Sequence, residues 1–188
     1  MKKLGAYFWL VALAGLLLWP APSVAQFTSP TPSLIVVVRH AEKAADSPDN
    51  PSLNDLGKAR ARDLAAALKD INLAAIITSQ YRRTRETAVP TAIANRLTPE
   101  VAPIDPDDLN AYIHSVVALA RRHHGKPVLV ISHGDTVGEI IAAFGGPRLE
   151  TICDNIYDHL YLLRPGPSPQ LDSRRYGARS PAPEPGCI

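Results

Sequence analysis

The sequence has few cysteines, no strong charge of either sign, and none of the common metal, nucleotide or serine-hydrolase motifs. Cys153 and Cys187 are the only two cysteines in 188 residues. One bridge and two independent thiols both fit the sequence, and neither cysteine neighbours a base, which argues against a catalytic thiolate. No H-E-x-x-H, paired C-x-x-C, phosphate-binding glycine loop or G-x-S-x-G turn occurs. We therefore expect no metal and no cofactor, and no nucleotide-loop or serine-hydrolase chemistry.

The N-terminus has the pattern of a secretory signal peptide. Lys2 and Lys3 precede an uncharged, mostly apolar stretch at 4–19, prolines follow at 20 and 22, and Ser23-Val24-Ala25 is a small-x-small cleavage site. The apolar stretch is shorter than the roughly 20 residues that span a bilayer. We predict cleavage after Ala25, no stable membrane insertion afterwards, and a periplasmic or secreted protein.

The charge balance argues against a nucleic-acid or membrane-surface role. The whole chain has 20 basic and 18 acidic residues. Loss of Lys2 and Lys3 with the signal peptide would leave a net charge of zero. Proteins that bind polyanions usually carry a clear basic excess. Any attraction for an anion must therefore come from a local cluster of cations.

Residues 34–164 alternate short β-branched runs with helical patterns. Helices are predicted at 54–69, 82–97, 109–120 and 137–144, and strands at 34–38, 74–78, 101–104, 127–131 and 157–163. The first helix is expected to begin after Asn54 and to bury Leu56 and Leu64. Continuous apolar strands indicate a sheet covered on both faces. The fold class is thus α/β, a three-layer α/β/α sandwich with a mainly parallel sheet.

The two ends of the mature chain look different from this domain. Residues 26–33 are rich in proline, serine and threonine and are predicted to be a linker. Residues 165–188 are rich in proline and glycine and show no hydrophobic periodicity, so we expect an extended or disordered tail.

Three predicted strand ends carry residues suited to binding an anion. Arg39-His40 follows the first strand, and Ser132-His133-Gly134-Asp135 follows the strand at 127–131. Ser79 follows the second strand, and Arg83 lies in the first turn of the next helix, with Arg82 and Arg85 expected on a solvated face. Ligands of such sheets bind beyond the carboxyl ends of the strands, and guanidinium groups suit phosphate. The pattern favours an anion-handling site at this edge.

These residues resemble the motifs of the histidine phosphatase superfamily, whose fold is shared with phosphoglycerate mutases. The similarity lies in Val38-Arg39-His40-Ala41-Glu42-Lys43, in Leu53-Asn54-Asp55-Leu56-Gly57, in Ser79 through Arg83 to Thr87-Ala88, and in Ser132-His133-Gly134. The short exported bacterial branch is the most similar. The order of the motifs covers about residues 34–163.

The resemblance implies a role for each matched residue. His40 would be the nucleophile that forms a phosphohistidine, and Arg39 and Arg83 would hold the phosphoryl oxygens. His133 would complete the phosphate pocket and stabilise the transition state. Such chemistry requires in-line positioning and charge stabilisation, which a cationic pocket provides without a metal.

Several acidic residues are candidates for the group that protonates the leaving alcohol. Asp105 directly follows the predicted strand at 101–104 and is the favoured catalytic acid. Asp107 is an alternative whose position also suits the N-cap of the next helix. Asp135, which adjoins His133, is another, and the absence of a dedicated acid is the remaining alternative. Glu42 lies near the nucleophile, with Lys43 or Arg85 as its expected partner.

The predicted function is hydrolysis of phosphomonoesters, with a small phosphorylated molecule as substrate. Only 49 residues separate Arg83 from His133, so the large insertions that enclose the substrate of a mutase are missing, and water should reach a phosphohistidine. Two alternatives remain open. One is a selective phosphatase for an envelope sugar phosphate or a phosphoprotein, and the other is a non-catalytic phosphate-binding module. Oligomeric state is not predicted.

Overall fold

The computed structural model describes residues 31–188. The predicted signal peptide and most of the predicted linker at 26–33 lie outside the described residues. Between residues 31 and 188, no helix combines the length and the apolar character needed to cross a membrane.

The described chain contains six strands and four helices. The strands are β1 (Leu34–Arg39), β2 (Ala75–Thr78), β3 (Glu100–Val101), β4 (Pro127–Ser132), β5 (His159–Arg164) and β6 (Gln170–Arg175). The helices are α1 (Asp55–Ala67), α2 (Arg82–Asn95), α3 (Leu109–Arg121) and α4 (Val137–Ala143). All four predicted helices and all five predicted strands are present, although the third strand is only two residues long.

The strands form one sheet in the order β3-β2-β4-β1-β5-β6. The first four are parallel to one another, with Val37 opposite Val130 in the β1–β4 pair and Ile77 opposite Val130 in the β2–β4 pair. The last two run antiparallel to their neighbours. The predicted α/β fold with a mainly parallel sheet is confirmed. The carboxyl ends of β1, β2 and β4 therefore meet at one edge.

Two apolar cores cover the two faces of the sheet. Val36 and Val38 point to the core that contains Leu64 of α1 and Ala88 of α2. Their neighbours in β1 point to the core that contains residues of α3 and α4. Successive side chains of a strand point to opposite faces, so a strand between two helix layers must be apolar at every position. This explains the continuous β-branched runs of β1 and β4.

The predicted apolar face of α1 is wrong in one respect. Asn54 caps the helix as expected, because its side-chain oxygen accepts from Gly57 N at 2.8 Å. Leu64 is buried, but Leu56 is 66% exposed. The helix is rotated so that Arg60 is buried instead, since its guanidinium group pairs with a carboxylate near the end of β1.

The prediction of a disordered tail from residue 165 is also wrong. Residues 170–175 form β6, which pairs with β5 along its full length. Most of its side chains are polar and exposed, so the strand is held by backbone hydrogen bonds and has no apolar pattern to reveal it. Beyond β6, Cys187 forms a disulfide with Cys153. The open question of two thiols or one bridge is thus answered in favour of the bridge.

Candidate active site

His40 follows the last residue of β1 and is held tightly at the sheet edge. Its backbone N–H donates to Ser132 O at 2.9 Å, which continues the β1–β4 pairing by one bond. The imidazole is only 3% exposed, and its Nδ1 lies 2.8 Å from the carbonyl oxygen of Ala41. A carbonyl can only accept, so Nδ1 carries the proton. The lone pair of the neutral ring is therefore on Nε2.

The surroundings of His40 favour this neutral form. Burial lowers the pKa of His40 well below its usual value, although the hydrogen bond to Ala41 O opposes the shift. The positive charges of Arg39 and Arg83 lower the pKa further. Near neutral pH the imidazole is consequently uncharged, which is the form that can attack an electrophile.

Arg39 is a buried cation held by the loop at 151–158. Its Nη1 donates to the carbonyl oxygens of Cys153 and Ile156, the latter at 3.1 Å, and its Nη2 donates to Asp154 Oδ1 at 2.8 Å. The guanidinium carbon also lies 4.4 Å from the ring centre of Tyr157. Only Nε has no partner. A buried donor without a partner is costly, so an acceptor that reached this Nε–H would be stabilised.

Arg83 lies in the first turn of α2 and reaches the same region. Its guanidinium carbon stacks 4.3 Å from the ring centre of Tyr81, and its Nη2 lies 3.4 Å from His133 Nδ1. Its Nε is also buried without a partner. Burial and the charge of Arg39 both lower the pKa of Arg83. Arg82 and Arg85 of the same helix are exposed, as expected from their positions.

His133 joins Arg83 to a chain of hydroxyl groups. Because a guanidinium group only donates, Nδ1 of His133 must accept from Arg83, and Nε2–H donates to Ser79 Oγ at 3.0 Å. Ser79 in turn contacts Thr84 Oγ1 at 2.9 Å. Burial lowers the pKa of His133 to about 3, assisted by Arg83. The ring centres of His133 and His40 are 5.4 Å apart.

These residues form the floor of a cleft of about 570 Å³. The predicted residues Arg39, His40, Arg83 and His133 all line it. The structure thus brings together the three chain segments that the sequence suggested. Within residues 31–188, no group of three His, Cys, Asp or Glu side chains is arranged to hold a metal ion.

Comparison with known families agrees with this arrangement. The model of the histidine phosphatase superfamily, branch 1, matches residues 35–110. This match covers less than half of the chain. The matched segment contains Arg39, His40 and Arg83, whereas His133 lies beyond it. No protein of curated function matches the sequence significantly.

Several solved structures share the histidine phosphatase fold of this chain. The protein histidine phosphatase SixA, complexed with tungstate, has a TM-score of 0.59 and 18% identity over 76% of this chain and 96% of its own. Mycobacterial glucosyl-3-phosphoglycerate phosphatase Rv2419c has a TM-score of 0.56 and 15% identity over 78% of this chain and 99% of its own. The Rv3214 product of Mycobacterium tuberculosis has a TM-score of 0.51 and 17% identity over 74% and 95%.

Asp105, the predicted catalytic acid, is not among the residues that line the cleft. Asp105 is exposed, and its Oδ1 accepts from the backbone N–H of Asp107 within its own loop. The carboxylate thus bonds within its own loop, whose neighbouring residues Ile104 and Pro106 do line the cleft. Asp107 does not line the cleft either, and the cap of α3 is Asp108, whose Oδ1 accepts from Ala111 N at 3.0 Å. Of the acids considered from the sequence, Asp135 alone lines the cleft.

The sequence analysis missed a charged pair between Arg60 and Glu42, which lies two residues beyond His40 in the chain. Arg60 of α1 donates to Glu42 from Nε at 2.9 and 3.0 Å and from Nη2 at 2.7 Å. Its Nη1 also donates to Tyr176 O at 3.1 Å. The expected partners of Glu42, Lys43 and Arg85, are not used. The two residues are 18 positions apart, and no local pattern in the sequence marks them as a buried pair.

Proposed function

We propose that this protein is an exported phosphatase that hydrolyses phosphomonoesters through a phosphohistidine on His40. Similarity to the histidine phosphatase superfamily supports phosphatase chemistry in general. The observation that carries the finer proposal is the state of His40. Its Nδ1 is fixed by Ala41 O, its ring is held neutral, and its Nε2 is left as a nucleophile beside Arg39 and Arg83.

The phosphoryl group of the substrate binds to the two arginines. The unpartnered Nε atoms of Arg39 and Arg83 are donors that phosphoryl oxygens can satisfy. Asp154, which is 95% exposed, now occupies Nη2 of Arg39. An ion pair with so exposed a partner is weak, so a phosphate dianion displaces Asp154 at little cost.

Attack then proceeds in line. The lone pair of His40 Nε2 forms a bond to phosphorus while the bond from phosphorus to the ester oxygen breaks, and the electron pair of that bond leaves with the alcohol oxygen. The two guanidinium groups stabilise the negative charge on the equatorial oxygens. In the second half-reaction water attacks phosphorus, the N–P bond breaks, and inorganic phosphate and neutral His40 are regenerated.

His133 contributes by holding Arg83 rather than by touching the phosphate. Both ring nitrogens are engaged, one by Arg83 and one by Ser79. Because burial keeps its pKa low, the ring stays neutral and Nδ1 remains an acceptor for the guanidinium group. We therefore assign His133 a positioning role in transition-state stabilisation.

The leaving alcohol takes its proton from Asp135 or from water. Asp135 follows β4, is exposed and lines the cleft, so a carboxyl group is within the pocket region. Asp105 does not line the cleft, so we favour Asp135 over the Asp105 of the sequence prediction. An enzyme without a buried acid favours leaving groups of low basicity, such as phenols.

One further feature supports hydrolysis, and another supports a location outside the cytoplasm. The rim of the cleft is made of exposed residues, among them Asp135 and Asp154, so water has access to a phosphohistidine. A disulfide persists in oxidising compartments, in agreement with the predicted signal peptide. Since Arg39 and Arg83 supply the positive charge, we expect turnover without added metal and no loss of activity with chelators.

Release of inorganic phosphate from an aryl phosphate tests the proposal. The wild-type chain should turn over, and His40→Ala should reduce turnover to the uncatalysed rate while inorganic phosphate still binds. A non-catalytic phosphate-binding module would bind phosphate in both forms and turn over in neither. Ordinary turnover by His40→Ala would refute the nucleophile assignment.

A further inference from the structure

The C-terminal segment, defined here as residues 180–188, is attached to the loop at 151–158. Cys187 is bonded to Cys153. Two backbone hydrogen bonds flank the disulfide, from Cys153 N to Ile188 O and from Ile188 N to Thr151 O, both at 3.0 Å. At the other end of the segment, Ser180 Oγ accepts from Tyr157 N at 2.9 Å. The segment is thus fixed at both ends to one loop.

That loop is the one that holds Arg39. The carbonyl oxygens of Cys153 and Ile156 accept from its guanidinium group, and the ring of Tyr157 stacks on it. The C-terminal segment is therefore attached to the loop that holds Arg39, a proposed phosphate-binding residue. It also reaches the cleft itself, since Glu184 and Cys187 line it.

Glu184 is placed by the disulfide. Its backbone oxygen lies 3.5 Å from Cys187 Sγ and 3.8 Å from Cys153 Sγ. The charged residues that line the cleft are three cations and three acids, namely Arg39, Lys43, Arg83, Asp135, Asp154 and Glu184. With both histidines neutral, the formal charge of the lining is zero. Without the C-terminal segment it would be one unit positive.

We propose that the C-terminal segment is a specificity-determining wall of this cleft, held in place by the disulfide, and that Glu184 disfavours ligands with negative charge beyond one phosphate group. The inference rests on the proposed function and names its substrate class. Preferred substrates are monophosphates whose leaving group is neutral or cationic. A second anionic group would lie near Glu184 and be repelled.

A charge-neutral substitution at position 184 tests the wall without requiring turnover. The probes are inorganic phosphate and pyrophosphate, whose affinities are measured by calorimetry at low salt. Glu184→Gln should improve pyrophosphate binding relative to phosphate by about three- to tenfold, and the gain should shrink at high salt. The matched control, Glu150→Gln, alters an exposed acid that does not line the cleft, and its ratio should stay at the wild-type value.

Removal of the tether provides an independent variant. In Cys153→Ala/Cys187→Ala, the preference should shift toward pyrophosphate as in Glu184→Gln, and phosphate itself should bind more weakly because the loop that holds Arg39 is loosened. Treatment of the wild type with a dithiol should do the same. The two thiols of the reagent are oxidised to a disulfide, while the protein disulfide gains two electrons and two protons to become two thiols.

The outcomes separate this inference from the proposed function. An unchanged ratio of pyrophosphate to phosphate affinity in Glu184→Gln, or an equal shift in Glu150→Gln, would refute the role of the C-terminal segment in specificity. This holds whether or not the enzyme turns over. A shifted ratio supports the wall even if His40→Ala retains turnover, in which case only the catalytic proposal fails. Should the double variant not fold, Glu184→Gln still decides. Absence of phosphate binding by the wild type would count against both.

Discussion

Replacement of Arg83 by lysine tests whether the geometry of the guanidinium group, and not only its positive charge, is needed in the proposed phosphate site of Arg39 and Arg83. Lysine retains one positive charge but presents a single nitrogen in place of the planar fork. The variant loses the Nε donor, which is buried and free for a ligand, and the 3.4 Å contact to His133 Nδ1. Loss of one preorganised donor to a transition state usually lowers kcat by about 100- to 1,000-fold, or roughly 2.7–4 kcal/mol.

We therefore expect Arg83→Lys to lower kcat by about 100-fold. Part of the stacking on Tyr81 is also lost, worth about 0.5–1 kcal/mol at a half-buried site, so Tm should change by only a few degrees. The assay is phosphate release from an aryl phosphate, with unfolding followed in parallel. Arg85→Lys is the matched control, because Arg85 is exposed on the same helix. Activity within threefold of wild type in Arg83→Lys, or equal losses in both variants, would refute the proposed role of Arg83 in binding the phosphoryl group.

Two further predictions concern stability. Below about pH 6.5 the unfolded chain binds protons at His40 and His133 that the folded chain does not, so the free energy of unfolding should be flat above that pH and decrease as pH falls toward 3. Urea unfolding at several pH values measures this, and His133→Asn should flatten the slope; a slope unchanged by that variant would contradict the low pKa of His133. Gly57→Ala should destabilise the protein by about 1–3 kcal/mol and lower activity, although alanine favours helices. The reason is that the added Cβ would lie 2.3 Å from the backbone oxygen of Glu42, which is two residues beyond His40. Lys58→Ala, on the exposed side of α1, should leave both unchanged, and a stabilised, fully active Gly57→Ala would show that the two backbones separate freely.

The parts of the fold that the sequence predicted are those with a strong local pattern. β1 and β4 are apolar at every position because each is buried on both faces, and a parallel sheet brings their carboxyl ends together. Once that is known, Arg39, His40 and His133 must lie at one edge. Arg83 could be singled out from Arg82 and Arg85 because helical spacing places it on a different face.

The remaining features depend on tertiary contacts that leave little local trace. β6 is polar and is held by backbone pairing with β5, so its composition resembles that of a disordered tail. The pair of Glu42 and Arg60 joins a loop to a helix, and no periodicity marks a charge as buried. Asp105 was expected directly after a strand at 101–104, but β3 ends at Val101, so Asp105 lies within a loop. No signal in the sequence indicates so short a strand.

The disulfide belongs to the same group of features. Cys153 and Cys187 are separated by 34 residues, and their approach requires β5 and β6 to turn the chain back toward the cleft. A short tail of prolines and glycines gives no sign of this path. The sequence therefore located His40, His133 and the two arginines of the cleft, and it left the C-terminal side of the cleft undescribed.

Trapping of the phosphorylated enzyme tests the central claim most directly. The purified chain is mixed with an aryl phosphate that carries an isotopic label in its phosphoryl group, and the reaction is quenched within milliseconds. The labelled residue is then identified by mass spectrometry under alkaline conditions that preserve phosphohistidine. We predict acid-labile phosphate on Nε2 of His40, formed and lost at rates compatible with turnover. Label on another residue, or turnover with no label on His40, would contradict the account.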